Sequence, residues 1–378
     1  MKFWHSSRRT YLTLGLMFVY GAALYFLFDF AYSELTFQHE PLGRGSHPVF
    51  NHTLLANFDG YDTWGHLRSR LITNSLGFRD SQVRDVTASR ETSKRIVLIG
   101  DSFTEGVGSA FDVSFAGLLE HAGRMRSDPI EFLNAGVLSY SPVVYYRKTK
   151  FLIEAGLQFD ELVVFIDISD IHDEATTYFC IDDHPQYRRF CHDESPAQVS
   201  PPNLADIGGI PVAHQKRLKD HFLVTTQLNE MIAAVTTKSE AQTKRFLTQQ
   251  YRRAAWTQPD FDGGNYYAPL GIEGGISRAL ANMQSLADLL RARGISLTVV
   301  VYPWSFQLAH DDRESRQVRI WKTFCETNCK AFINLFDAFF AEKDARTHWY
   351  EELFIPRDLH YSTLGNRIFY DAVARRLL

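Results

Sequence analysis

The sequence has little of several features that would assign a function class directly. Its 378 residues carry a formal net charge of only −4 at pH 7, so no basic surface for nucleic acid is expected. No Gly-x-Gly-x-x-Gly follows an apolar run and no Gly-Lys-Ser/Thr loop is present, so we expect no nucleotide and no other cofactor. Internal repeats and low-complexity tracts are also absent. What remains is a globular chain that forms one large domain with insertions or two smaller domains.

Cysteine is scarce, and the four cysteines form two local pairs. Cys180 lies near Cys191, and Cys325 lies near Cys329. In an oxidising compartment these pairs would form two disulfides, whereas in cytosol they would be free thiols. The first pair and its neighbouring histidines could instead bind zinc, but their spacing matches no standard pattern. We therefore expect no metal site.

Long apolar runs are absent except for one near the N-terminus. Residues 11–28 contain no charged side chain and nearly suffice to span a bilayer as a helix. Basic residues precede this run within 1–10 and acidic residues follow it, so the positive-inside rule places the N-terminus in the cytoplasm. Asp29-Phe30-Ala31 offers no small-residue cleavage site, which favours an uncleaved signal anchor over residues 11–32 rather than a cleaved signal peptide. The sequence thus predicts a single-pass membrane protein with an extracytoplasmic domain, periplasmic in a bacterium.

The rest of the chain begins with a lead-in segment, residues 33–93. Within it, Asn74 to Asp80 is predicted to form a packed loop. Over 94–378, short apolar runs then alternate with amphipathic stretches. The predicted strands are 96–99, 131–134, 161–167, 296–301 and 331–334, and the predicted helices are 114–123, 143–155, 276–292, 315–325 and 362–377. This alternation predicts an α/β domain with a parallel sheet between helices. Polar, proline-containing and helix-prone residues at about 176–256 predict a surface insertion with helices.

A serine follows the first predicted strand of the domain. Gly100-Asp101-Ser102 ends the apolar run, which places Ser102 at the carboxyl edge of the sheet, where open α/β folds bind ligands. Its backbone N–H could also stabilise an oxyanion near a helix N-terminus. These three residues equally suit an ordinary turn. Thr104 stands where a Gly-x-Ser-x-Gly elbow needs its second glycine, which disfavours an α/β-hydrolase.

A base for this serine is available near the C-terminus. His360 precedes the last predicted helix, and Asp358 lies two positions before it. A nucleophilic serine needs a base, and the base needs an orienting carboxylate, so this pair suits Ser102. A single histidine is otherwise more often a surface or core residue. The convergence of three residues on one sheet edge favours the catalytic interpretation.

The loop after the third predicted strand is also polar. Asp170, His172, Asp173 and Glu174 could bind a metal or a sugar hydroxyl, or could form a structural cap that holds the insertion. We expect the structural role for the group as a whole. Asp170 is the member expected to contact substrate.

Three motifs in this order resemble the SGNH, or GDSL-type, hydrolase superfamily: Gly100-Asp101-Ser102, Asn134-Ala135-Gly136 and Asp358-x-His360. The resemblance covers roughly residues 74–174 and 276–378. It implies a flavodoxin-like three-layer α/β/α sandwich and ester or acyl-transfer chemistry through a serine acyl-enzyme. It also implies that Ser102 is the nucleophile, His360 the base and Asp358 its orienter, with the N–H groups of Ser102 and Gly136 as oxyanion donors.

Two departures from the family pattern matter. Ser169 stands where the family usually has an asparagine that donates to the oxyanion, and a serine hydroxyl has a shorter reach. Loss of one such donor costs about a hundredfold or more in rate. The family often has aspartate three residues before the histidine, whereas here the spacing is two. Variants with Asp-x-His are similar to membrane-anchored, extracytoplasmic members that modify cell-surface polysaccharides, including relatives of alginate acetylation proteins.

The sequence therefore predicts an anchored, outward-facing serine esterase or O-acyltransferase that acts on a short acyl ester, with a cell-surface glycan as substrate. The alternative is a non-catalytic scaffold of the same fold that partners a multi-span membrane acyltransferase. Ser169 favours this alternative, whereas the presence of Ser102, Asp358 and His360 disfavours it.

Overall fold

The computed structural model describes residues 2–36, 43–64, 67–91, 93–181, 201–211, 221–236 and 251–378. The chain divides into two units. The smaller unit comprises Met1–Pro41 and Ala213–Lys238, and the larger unit comprises Leu42–Val212 and Ser239–Leu378.

The secondary structure of the described residues consists of strands, helices and four short 3-10 turns. The strands are β1 (Arg44–His47), β2 (Asn51–Leu54), β3 (Asp59–Trp64), β4 (Leu67–Ile72), β5 (Lys94–Ile99), β6 (Ile130–Asn134), β7 (Glu161–Ile166), β8 (Ile210–Pro211), β9 (Ser296–Val301) and β10 (Ala331–Asn334). The helices are α1 (Lys2–Thr36), α2 (Ser102–Glu105), α3 (Phe115–Arg124), α4 (Pro142–Glu154), α5 (Asp170–Thr176), α6 (Leu223–Thr236), α7 (Tyr251–Ala254), α8 (Gly271–Arg291), α9 (Ser305–His310), α10 (Arg316–Asn328), α11 (Phe336–Ala345), α12 (Trp349–Leu353) and α13 (Thr363–Leu377).

A five-stranded sheet forms the centre of the larger unit. Its strand order is β10-β9-β7-β5-β6, and every neighbouring pair is parallel. Numbered by chain order within this sheet, the order is 2-1-3-4-5, the flavodoxin-like arrangement. In β7 the residues from Leu162 to Ile166 are fully buried, as expected for a central parallel strand covered on both faces. The predicted fold class is confirmed.

The helices of the larger unit pack in two groups. Helix α3 packs against α13, whereas α4 and α5 pack against α8. The five predicted strands and five predicted helices all occur, and most of their ends lie within two residues of the prediction. Helix α8 begins earlier than predicted, at Gly271, and α10 ends later, at Asn328. Helices α5, α9 and α12 were not predicted, because so few turns give no clear apolar periodicity. Helix α11 is as long as α3 but was not predicted, because its apolar residues do not recur with a helical period.

The lead-in segment is more structured than the sequence indicates. Strand β1 pairs antiparallel with β2 and β8, and β3 and β4 form an antiparallel hairpin. The residues of β1 and β3, Arg-Gly-Ser-His and Asp-Gly-Tyr-Asp-Thr-Trp, contain too few apolar side chains for a strand period to be visible. Contacts between paired strands stabilise them, and the pattern of residues along a single strand does not reveal such contacts.

The predicted insertion at 176–256 lies partly outside the described residues, which leave out 182–200, 212–220 and 237–250. Its described part includes β8, which pairs with β1, and α6, which belongs to the smaller unit. The insertion thus contributes to both units.

The smaller unit contains α1 and α6. Helix α1 also includes residues of the predicted cytoplasmic tail, and its stretch Thr10–Leu35 is predominantly apolar. Among the described helices, this one is long and apolar enough to cross a membrane, a property that signal sequences share. Its apolar side chains, such as Leu16 and Phe18, are exposed in the isolated chain.

The three described cysteines are disulfide-bonded. Cys325 and Cys329 are joined at the C-terminal end of α10. Cys180 is also disulfide-bonded, and its expected partner Cys191 lies outside the described residues.

Candidate active site

The turn after β5 presents Ser102 at the carboxyl edge of the sheet. Asp101 caps α2, because its side chain accepts a hydrogen bond from the N–H of Phe103 at 3.0 Å. Gly100 is required by close packing, since a Cβ there would lie 2.2 Å from Thr104 Oγ1. Ser102 is the first residue of α2, so its backbone N–H has no acceptor within the helix.

Ser102 lies beside the predicted base and acid. His360 Nε2 is 2.8 Å from Ser102 Oγ, and His360 Nδ1 is 2.5 Å from Asp358 Oδ1. The backbone N–H of His360 also donates to Asp358 Oδ1, at 2.8 Å. With Asp358 on Nδ1, the imidazole carries its proton there and leaves Nε2 to accept the serine proton. The structure therefore brings together the three residues that the sequence proposed.

The carboxylate of Asp358 has a second donor that sequence reasoning missed. Trp64, the last residue of β3, donates from Nε1 to Asp358 Oδ2 at 2.6 Å. Its ring also contacts the His360 ring edge-on, with centroids 5.1 Å apart. Burial alone would raise the pKa of Asp358, but hydrogen bonds from His360 and Trp64 hold it below its usual value. A lone tryptophan in a polar stretch was the only signal for this contact.

Hydrogen bonds and ring packing within the larger unit hold the loop that carries His360. The N–H of Ile355 donates to the His360 carbonyl at 2.8 Å, and the Tyr350 hydroxyl donates to the Asp358 carbonyl at 3.1 Å. Phe103 packs against the His360 ring at 4.8 Å between centroids. The imidazole orientation is therefore determined by packing as well as by Asp358.

The packed loop predicted at Asn74 to Asp80 supports the nucleophile turn. Arg79 is buried and donates to the carbonyls of Glu105, Gly106 and Ser109, at 2.8, 2.5 and 2.6 Å. Three backbone acceptors after Ser102 are thus satisfied by a single guanidinium from the lead-in segment. The loop has the structural role that was expected for it.

Two predicted oxyanion donors have other partners. The N–H of Gly136 donates to Asn134 Oδ1 at 3.1 Å. The N–H and hydroxyl of Ser169 both donate to Asp167 Oδ1, at 2.6 and 2.7 Å. An oxyanion role for either group would require one of these bonds to break. Both assignments stay predictions, and the N–H of Ser102 is the donor that geometry favours.

Asp170 is not placed as expected. Its side chain is 0% exposed, and both carboxylate oxygens accept the Tyr145 hydroxyl, at 3.2 and 3.1 Å. Burial, together with the nearby Asp167 and Asp101 carboxylates, raises its pKa well above the usual value. A substrate contact would require this buried side chain to become accessible, and the substrate role of Asp170 stays a prediction.

Asp170 belongs to a buried acidic group behind the nucleophile. Asp101 and Asp167 are its other members. The Tyr302 hydroxyl donates to Asp101 at 3.0 Å, and the indole of Trp304 donates to Asp167 at 2.9 Å. Burial, and then the Asp167 carboxylate to which it is hydrogen-bonded, raise the pKa of Asp101 well above the usual value. The raised pKa disfavours the ionised form of Asp101, which reduces the negative charge beside Ser102.

The remaining acids of this loop are structural. Glu174 forms a fully buried ion pair with Arg278 and accepts the hydroxyl of Ser141 at 2.8 Å. Asp173 accepts two hydrogen bonds from Arg253, at 2.7 and 2.6 Å. Across the described ranges, no three His, Cys, Asp or Glu side chains are grouped to hold a metal ion.

Comparisons with known proteins gave matches among solved structures, whereas no family model and no curated protein matches. One match is a catalytic mutant of Axe2, an acetylxylan esterase from Geobacillus stearothermophilus, with 13% identity, a TM-score of 0.39, and coverage of 75% of this chain and 94% of that chain. Another is a putative lipolytic protein of the G-D-S-L family from Desulfitobacterium hafniense DCB-2, with 11% identity, a TM-score of 0.38, and coverage of 75% and 99%. TesA matches with 9% identity, a TM-score of 0.39, and coverage of 75% and 98%. At these sequence identities and TM-scores, the similarities say nothing about activity. The fold assignment rests on the strand order of the central sheet.

Proposed function

We propose that this chain is a serine-dependent, SGNH-type enzyme that cleaves or transfers a short acyl ester, with Ser102 as its nucleophile. The observation that carries this proposal is the 2.8 Å contact between Ser102 Oγ and His360 Nε2, with Asp358 on the opposite ring nitrogen. In this arrangement the serine contacts the histidine and the histidine contacts the aspartate. The same arrangement activates a serine for acyl transfer in enzymes of unrelated folds.

The geometry supports a two-step reaction. His360 Nε2 takes the proton from Ser102 as Oγ attacks the acyl carbonyl, and Asp358 stabilises the imidazolium that forms. The tetrahedral oxyanion accepts a hydrogen bond from the Ser102 N–H. Its collapse transfers the proton from His360 to the leaving alcohol and leaves an acyl-serine. Water then attacks the acyl-serine in an esterase, and a sugar hydroxyl does so in a transferase. His360 removes the proton of the attacking hydroxyl and returns it to Ser102 Oγ as the acyl group leaves.

The buried acids are compatible with this chemistry. An ionised carboxylate beside Ser102 would oppose the developing oxyanion, and the low dielectric of the interior would strengthen that opposition. Because burial and Asp167 raise the pKa of Asp101, its ionised form is disfavoured and the opposition is reduced.

The proposed setting is the outer face of a membrane. The apolar stretch Thr10–Leu35 supports an anchor, and the basic residues that precede it support an extracytoplasmic larger unit. A tethered esterase acts on material at the cell surface, so the proposed substrate is an acylated surface glycan. The membrane setting and the glycan substrate are inferred from the proposed anchor and from the sequence resemblance.

A second candidate is a non-catalytic scaffold for a multi-span membrane acyltransferase. One observation favours it: Gly136 and Ser169 donate to Asn134 and Asp167 instead of facing an open position. Without a second oxyanion donor, acyl transfer would be slow.

A serine-directed fluorophosphonate separates the two candidates. The full chain in detergent and its Ser102→Ala variant are treated with the probe, and intact mass is measured. The enzyme proposal predicts a single adduct on the parent and none on the variant. A folded parent that stays unlabelled would contradict the enzyme proposal and favour the scaffold. If an adduct forms, product analysis with and without a glycan acceptor distinguishes hydrolysis from transfer.

A further inference from the structure

Asp29 is an acidic residue inside the apolar stretch of α1, where a carboxylate is unfavourable unless it is paired. Its side chain is 0% exposed. The carboxylate accepts the N–H of Val224 at 2.9 Å and the N–H of Thr225 at 2.8 Å. Both donors belong to the first turn of α6. Asp29 therefore caps a second helix, and the positive end of that helix compensates its charge.

Ser33, one turn after Asp29, completes this cap. Its hydroxyl donates to Asp29 at 3.2 Å and accepts the N–H of Leu223 at 2.8 Å. Three backbone N–H groups at the start of α6 are thus satisfied by two side chains of α1. This matters because an apolar phase offers no water to satisfy the free N–H groups at a helix start.

Further contacts define the direction of α6 along α1. His221 contacts Glu34 at 2.6 Å, and Thr225 contacts Tyr25 at 3.1 Å through the side-chain oxygens. Phe222 packs against Phe30, with centroids 6.1 Å apart. Residue 221 contacts residue 34 of α1, whereas residue 225 contacts residue 25, which comes earlier in α1. Helix α6 therefore starts near the end of the apolar stretch and runs antiparallel to α1, towards the middle of that stretch.

Three exposed side chains of α6 are apolar, and the polar Gln227 and Asn229 are exposed as well. Leu228 is 50% exposed and Met231 is 63% exposed, and Ile232 is exposed on the same face. On α1, Phe28 and Leu24 are also apolar and exposed.

We propose that α6 inserts beside α1 into the outer leaflet of the bilayer, with lipid acyl chains covering Leu228, Met231 and Ile232. This inference rests on the proposed membrane anchor. Its 14 residues are about 21 Å long at 1.5 Å per residue, shorter than the roughly 30 Å hydrocarbon core, so α6 enters the bilayer without crossing it. Its capped start explains how an acidic side chain is accommodated in an otherwise apolar anchor.

Spin labels on single introduced cysteines test this inference in the full chain, reconstituted in phosphatidylcholine vesicles. The variants are Met231→Cys, Leu16→Cys in the apolar stretch of α1, and Met125→Cys, an exposed methionine of the larger unit. Among the described residues no free cysteine competes for the label. Accessibility to oxygen, which partitions into lipid, is compared with accessibility to a water-soluble nickel complex.

The expected result is a several-fold higher oxygen-to-nickel ratio at Met231→Cys than at Met125→Cys, close to that at Leu16→Cys. If the label at residue 231 is accessible to the nickel complex while the label at residue 16 is accessible mainly to oxygen, the inference is overturned and the proposed anchor is retained. Low access to both reagents at 231 would mean that protein covers α6, which also overturns it. Nickel access at 16 would overturn the anchor and the inference together.

A second variant tests the cap itself. Asp29→Leu makes α1 more apolar but removes the acceptors for Val224 and Thr225. The label at 231 is expected to become several-fold more accessible to nickel, while the label at 16 stays in lipid. Asp29→Asn keeps one acceptor oxygen and should have a smaller effect. An unchanged label at 231 in Asp29→Leu would contradict the role of Asp29.

Discussion

Trp64 donates a hydrogen bond to the carboxylate of Asp358 across 294 positions of sequence. The indole comes from the β3–β4 hairpin, ahead of the α/β sheet, and Asp358 lies in the loop before the last helix. The other oxygen of Asp358 contacts His360. The hairpin therefore takes part in orienting the candidate catalytic histidine, and the lead-in segment is more than a spacer between α1 and the α/β sheet.

Replacing the nucleophile should abolish the proposed activity. Ser102→Ala removes the attacking oxygen and leaves His360 without its 2.8 Å partner. We expect esterase activity on a chromogenic acetate ester to fall by roughly a thousandfold or more, since removal of a triad residue has effects of this size or larger. A melting temperature close to that of the parent is the control for folding. Retained hydrolysis by purified Ser102→Ala would show that another group performs the reaction.

Removing the indole donor should lower the rate and shift its pH dependence. Trp64→Phe keeps a ring against His360 but loses the hydrogen bond to Asp358. That hydrogen bond helps to hold the pKa of Asp358 down, so its loss raises that pKa, and the loss of activity caused by protonation of Asp358 begins at higher pH. The loss of one hydrogen bond to a charged group predicts about a tenfold lower kcat.

The matched control is Tyr61→Phe, on the same strand as Trp64. It alters the exposed side of the hairpin without touching Asp358 and should leave both kcat and the pH profile unchanged. If Trp64→Phe raised KM alone, or if both variants lost activity equally, the positioning role of Trp64 would be disproved.

A substitution at Ser169 tests the predicted oxyanion role. The hydroxyl donates to Asp167 in the structure, so Ser169→Ala should reduce kcat by less than about tenfold, whereas loss of a true oxyanion donor costs about a hundredfold or more. Stability should fall by about 1 kcal/mol, the usual value of one hydrogen bond. Ser141→Ala, which loses a buried hydroxyl bond to Glu174, is the control for stability. A hundredfold fall in kcat for Ser169→Ala alone would restore the sequence-based assignment.

Lys148 should make stability depend on pH. Its ammonium group is 0% exposed and donates to the Ala135 carbonyl at 3.0 Å and to Thr53 and Tyr140 at 3.2 Å. Burial lowers its pKa to about 7, whereas an unfolded lysine has a pKa of about 10.4. Between these values the unfolded chain binds more protons, so the folded state gains stability as pH rises from about 7 to about 9, by up to about 1.4 kcal/mol per pH unit.

The measurement is the free energy of unfolding against pH for the parent, Lys148→Met and Lys150→Met. Lys148→Met should lose this slope. Lys150, exposed on the same helix and 3.8 Å from Glu154, is the control and should keep the slope. A parent whose stability is flat over this range, or a slope that survives in Lys148→Met, would contradict the assigned pKa.

The sequence by itself determined the α/β alternation, the order of the sheet strands along the chain, and the positions of Ser102, Asp358 and His360. These features are local. A β-branched apolar run followed by turn residues fixes a buried strand and the exposed residue at its end, and an aspartate two positions before a histidine can contact it within one turn. The long apolar run near the N-terminus is equally readable, because hydropathy needs no tertiary information.

Tertiary structure alone decided which partner each polar side chain meets. Trp64 contacts Asp358 across 294 positions and Val224 contacts Asp29 across 195, and no local period encodes such pairs. Asp170 and Ser169 lie in the loop that the sequence placed at the active edge, yet Asp170 is buried against Tyr145 and Ser169 donates to Asp167. The sequence determines which residues reach the sheet edge, whereas burial and hydrogen-bond partners depend on how distant segments pack there.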